Sequence, residues 1–220
     1  MKSATGRYGS IRRNIFERGI RVGGGFWLLL SAALLCGPML VTLAVLLAAA
    51  LHEGGHLAAL AAFGVPVEGV RLGAMGAVIH ARGAARLSYG RELCVTLAGP
   101  AVNLLCAPML AALSARHGWD WGLLCAGAHA VLGAYNLLPI PPLDGARALY
   151  LLAACALGPT AGERVSRSVG LACSLALCAL GAYLAVRHGA VLFLLGALGL
   201  FLPELGLAQS RRSVYNTCHG

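Results

Sequence analysis

Charged side chains are scarce in this chain. Asp, Glu, Lys and Arg make up 11% of it, against roughly 25% in soluble globular domains. That deficit excludes a sizeable soluble domain, because no segment between the apolar runs is long enough to bury a core of its own. Acidic groups are rarer still: 220 residues hold two aspartates, Asp120 and Asp144. Cysteines occur at positions 36, 94, 106, 125, 155, 173, 178 and 218, and no two stand in Cys-x-x-Cys spacing. Disulfide frameworks and zinc knuckles need paired or clustered cysteines, so these thiols read as small buried hydrophobes in a reduced setting. Internal repeats and paired broken helices, the marks of many transporters, are also lacking.

What is abundant is apolar. Hydrophobic residues reach 59%, and the mean hydropathy is +0.77. The expected fold is an all-α polytopic membrane protein of about six transmembrane helices, with a small β-hairpin or sheet at the membrane edge. A span takes about 20 apolar residues. Spans are expected at residues 23–37, 39–62, 93–115, 121–138, 168–186 and 189–207, with Gly37-Pro38 as a tight reversal between the first two. Residues 64–91 are too glycine-rich for a helix, and Val65, Val67, Val70, Leu72 and Val78 recur at strand-like intervals. Trp119 and Trp121 suit an interfacial boundary. Prolines 139, 141 and 142 must end the fourth helix, and residues 148–157 suit a helix too short to cross.

Residues 1–21 read as a basic cytoplasmic arm, 22–207 as the intramembrane domain and 208–220 as a cytoplasmic tail. The basic start followed by an apolar run imitates a signal peptide, but the run continues far past a signal's length. With both termini cytoplasmic, the inner segments hold 15 of the 17 Lys and Arg residues, and the outer turns hold Arg116 and Arg187. This positive-inside pattern accounts for the formal charge of +9 without nucleic acid as a partner.

One stretch breaks the apolar monotony. Between residues 22 and 67 the only charged side chain is Glu53, inside His52-Glu53-Gly54-Gly55-His56. An ionisable group in such a segment is a functional candidate. On a helix, residues four apart share a face, so His52 and His56 can hold one zinc with Glu53 beside it as general base. Catalytic zinc takes three protein ligands and one open position. The topology puts Asp144 on the same side of the membrane as the end of the second span, which makes it the candidate third ligand. Gly145 is expected to allow the sharp turn that aims it. Gly54 and Gly55 each cost roughly 1 kcal/mol in a helix interior; close approach of another backbone and plain helix packing explain them equally well. Asn103 reads as an interhelical hydrogen bond. His80 and His129 read as structural.

The His52–His56 run, the stretch Ala98-Gly99-Pro100-Ala101-Val102-Asn103, and the run Asn136, Pro139, Pro141, Pro142, Asp144, Gly145 together resemble the three signatures of the site-2 protease family of intramembrane zinc metalloproteases. The likeness covers about residues 23–207 and is nearest to the compact branch with a sporulation protease that frees a sigma factor from its pro-sequence. It implies one zinc ion per chain held by His52, His56 and Asp144. It also implies catalysis by Glu53, and a substrate-positioning or carbonyl-polarising role for Asn136. The implied partners are a membrane-embedded or membrane-tethered protein substrate, the bilayer and an inhibitory membrane protein. The sporulation enzymes carry a soluble C-terminal domain of the cystathionine-synthase repeat type, whereas thirteen residues follow Leu207 here, so an enzyme without that domain is expected. The rival class is a catalytically silent membrane scaffold that binds clients, for which an intact Glu53 would serve no purpose.

Overall fold

A computed structural model describes residues 19–73, 76–82, 87–189, 196–199 and 201. The elements in chain order are β1 (Ile20–Val22), α1 (Gly24–Cys36), α2 (Met39–Ala62), β2 (Val67–Gly73), β3 (Gly76–Ala81), α3 (Tyr89–His117), α4 (Asp120–Asn136), α5 (Asp144–Leu157) and α6 (Pro159–His188). They fall into two compact units, Met1–Tyr135 and Asn136–Gly220.

In the first unit, α1 gives way to α2 at Gly37-Pro38, as expected for residues that stop one helix and start the next. The Gly37 N–H donates to the Ala33 carbonyl at 3.0 Å, and the Thr42 hydroxyl donates to the same oxygen at 3.3 Å. The sheet expected between residues 64 and 91 is present: β2 and β3 pair antiparallel. Its apolar face is formed by Val67 and Val70, which bury against Leu60 near the end of α2. Leu57, Val65, Leu72, Ile79 and Val95 surround that cluster. The sheet is thereby tied to both α2 and α3.

A third strand was not expected. β1 pairs parallel with β2, Ile20 opposite Val70 and Val22 opposite Leu72, giving the order β1-β2-β3. Ile20 and Arg21 therefore lie in a sheet, and β1 runs across the expected 21/22 boundary. Three residues between glycines carry too little periodicity to announce a strand. Their partner, 50 residues away in register, supplies the ladder.

Among the described residues, three of the six expected spans are helices long and apolar enough to cross a membrane: Met39–Ala62, Tyr89–His117 and Pro159–His188. The first expected span forms a helix of 13 residues and the fourth one of 17, about 20 and 26 Å at 1.5 Å per residue against a hydrocarbon core of about 30 Å. Most of the expected sixth span lies outside the described residues. The α3 helix ends at Gly118, whose φ of 63° permits a left-handed stop with its N–H on the Ser114 carbonyl. In the second unit α5, of 14 residues, packs along α6; the Ser166 hydroxyl on α6 donates to the Ala146 carbonyl at 3.0 Å.

Candidate metal centre

The site begins with the packing of α2 against α3. Gly55 makes close packing possible: a Cβ there would sit 2.6 Å from the Ala98 carbonyl oxygen and 3.0 Å from Val102. Gly54, its neighbour, meets nothing within 4 Å. Close approach of a neighbouring backbone thus accounts for Gly55, whereas Gly54 has no contact that either reading would need.

His52 and His56 point into this contact, 5% and 9% exposed. The α3 face opposite them is the stripe Val95, Gly99, Asn103, spaced four residues apart so that all three share one side of the helix. The His56 Nδ1–H donates to the Val95 carbonyl at 2.8 Å. A carbonyl can only accept, so the neutral ring keeps its lone pair on Nε2. Gly99 leaves room for both rings, because a Cβ there would run into His56 Nε2 and lie 2.9 Å from His52 Nε2. Asn103, fully buried, places its Nδ2 3.3 Å from His52 Nδ1. Its Oδ1 accepts from the Nδ1–H of His129 on α4 at 3.0 Å. Asn103 is therefore the interhelical hydrogen bond expected of it. His129, expected to be merely structural, is the end of a side-chain chain that starts at His52. The middle signature owes its residues to this face: glycine for space, asparagine for a polar partner.

The two Nε2 atoms lie 3.2 Å apart. Two nitrogens bound at about 2.0–2.1 Å to a tetrahedral ion stand about 3.3 Å apart. The pair is thus set at the edge length of a zinc tetrahedron, with His56 already in the tautomer that a metal needs, and the donor set suits that ion. Glu53, next to His52 on α2, is half-buried.

The other expected site residues belong to the second unit. Asn136 is the last residue of α4 and half-buried. The segment after it is pinned by Ile140, fully buried, and Leu143, which pack with Leu138 against Cys173 and Leu177 of α6. Asp144, half-buried, opens α5 from its first turn, where a carboxylate is favoured by the helix dipole. Gly145 does not make the sharp turn expected of it. It is helical, and a Cβ there would collide with the Leu137 and Leu138 backbone, so glycine is required by close approach.

Fold and histidine pair together define an apolar helical protein with a buried imidazole pair shaped for a divalent metal. No family model matches the chain. The chain is similar to Stage IV sporulation protein FB of Bacillus subtilis (strain 168), at 32% identity over 136 residues, 60% of this chain and 47% of that protein. It thus spans about half the length of the curated relative it matches. In fold it is similar to the Site-2 Protease from Methanocaldococcus jannaschii, with a TM-score of 0.63 at 21% identity over 85% of this chain and 89% of that one. The chain has the site-2 protease fold.

Proposed function

We propose that the chain is a zinc-dependent intramembrane endopeptidase that hydrolyses a peptide bond of a membrane-embedded or membrane-tethered protein near the cytoplasmic face. The observation that carries the reading is the buried Nε2 pair, 3.2 Å apart in the contact between α2 and α3. In this reading His52, His56 and Asp144 hold the ion. Asp144 is supported by its place in the third signature and by a fold likeness that covers 85% of the chain. Zinc, when bound, lowers the pKa of water towards about 7 and polarises the scissile carbonyl.

The protein's own groups do the rest. Glu53 accepts a proton from the attacking water and delivers it to the leaving amide nitrogen. Asn136 positions the substrate or hydrogen-bonds its carbonyl oxygen. A substrate helix must unwind before its peptide bond is accessible. An unwound segment can add as a strand to β3, at one end of the sheet order. A pro-sigma-type protein is the first client to try, because the sporulation branch that the signatures resemble acts on one.

The test is co-expression of wild type and Glu53→Gln with such a substrate, followed by comparison of membrane-bound fragments. Cleavage by wild type alone supports the reading. Equal cleavage by Glu53→Gln removes Glu53 from the mechanism.

A further inference from the structure

We propose that Arg21 and Arg71 form a clamp for the headgroup phosphate of an anionic phospholipid in the leaflet where α1 begins. The clamp lies in the first unit and is independent of the metal site.

The two arginines are neighbours by register. β1 and β2 run parallel and Arg21 pairs with Arg71, so the two residues stand about 4.8 Å apart on adjacent strands. Val70 is buried against Leu60, and Leu72 packs on the same cluster. Side chains alternate along a strand, so Arg71, between them, points to the opposite face of the sheet. A residue in register on a parallel neighbour shares that face, which puts Arg21 beside it, and both are exposed. Like charges directly opposite destabilise a sheet, and neither arginine has an acidic partner among the described residues. The only carboxylate in the three strands is Glu68, which takes Arg82 at 2.6 Å. Two adjacent guanidiniums are matched by one phosphate, whose oxygens accept from their planar N–H forks.

Placement identifies the source of that phosphate. β1 leads almost directly into α1, and the Gly23 N–H donates to the Leu72 carbonyl at 2.8 Å, which ties the start of the helix to the sheet. The large side chains of α1 are exposed: Trp27 by 56%, Leu28 by 72% and Leu35 by 86%. An apolar surface of this extent marks a membrane contact, and the same unit holds two helices long and apolar enough to cross a bilayer. Phe26 and Trp27 stand edge to face at 5.9 Å near the start of α1, and aromatic side chains of this kind collect at headgroup level. Arg21 precedes Gly24 by three residues, so it lies within about 10 Å of the start of α1. Val78, 55% exposed, stands opposite Arg71 on the same face and continues the row with an apolar group. A soluble anion would use the arginines alone, whereas a phospholipid also uses the apolar neighbour and the aromatic turn.

The experiment uses the full chain in neutral detergent, with phosphatidylglycerol or phosphatidylcholine added and thermal unfolding as the readout. Phosphatidylglycerol should raise the wild-type midpoint, and phosphatidylcholine should not. At roughly fivefold per arginine, the double variant Arg21→Gln/Arg71→Gln should need about 30-fold more phosphatidylglycerol for the same shift. Arg116→Gln/Arg187→Gln loses the same charge elsewhere and should respond as wild type does. Arg71→Gln separates the clamp from a merely structural role. Without lipid, relief of the like-charge contact should leave its midpoint equal to or above that of wild type; with enough phosphatidylglycerol to saturate wild type, its midpoint should fall below. A midpoint lowered in both conditions overturns the clamp. So does a wild type that responds to both lipids alike, or a double variant that responds no less than wild type or than the Arg116/Arg187 control. Inorganic phosphate that raises the wild-type midpoint as far as phosphatidylglycerol does would assign the pair to a soluble anion and overturn the lipid.

Discussion

Alanine at position 99 is the sharpest single perturbation of this site. A Cβ on Gly99 would sit 2.7 Å from His56 Cε1 and 2.9 Å from His52 Nε2, and would run into His56 Nε2. Real Cβ contacts essentially never fall under 3.0 Å, so both rings must swing away from their common point. Overpacking of this kind costs about 1–3 kcal/mol, and the higher helix propensity of alanine returns about 1 kcal/mol. The net loss of stability is therefore about 0–2 kcal/mol, and Gly99→Ala should still fold. Metal binding should suffer far more, because the methyl group displaces both imidazole lone pairs from the point where they meet. The loss should exceed the roughly 10–100-fold typical of outer partners. Thermal unfolding in detergent measures the first quantity and zinc competition with a chromophoric chelator the second. A Gly99→Ala protein that binds zinc as wild type does would refute the reasoning, since it would place the ion away from the α3 face.

Other substitutions test neighbouring parts of the account. Gly54→Ala should be neutral or stabilising by up to about 1 kcal/mol, whereas Gly55→Ala, against the Ala98 backbone, should destabilise by about 1–3 kcal/mol; side-by-side unfolding curves decide, and equal effects would contradict the packing. Ile140→Ala removes a fully buried side chain that anchors the segment before Asp144, and should cost about 2–5 kcal/mol, read as a lowered unfolding midpoint.

Much of the site was legible because it is local. The spacing of His52 and His56 within one apolar helix is enough to put both on a common face, and the glycine-rich stretch after it announced strands instead of a helix. The proline run likewise marked where α4 had to stop. What escaped the sequence depends on partners far away along the chain. Asn103 and His129 look like isolated polar residues until α3 and α4 come together, although the Val95, Gly99, Asn103 stripe hints at a helix face kept open for something. β1 is three residues long and exists only because β2 offers an edge. Gly145 invited a turn argument, but the α5 backbone crowds Leu137 and Leu138, and that crowding follows from packing that no local pattern encodes.

The central claim is that residues from two separated signatures hold one metal ion, and the zinc content of the purified full chain tests it most directly. The account predicts about one zinc per chain in wild type and in Glu53→Gln, and loss of that zinc in both His56→Ala and Asp144→Ala. Wild type purified in the presence of zinc yet carrying none, or an Asp144→Ala protein that retains a full complement, would contradict it.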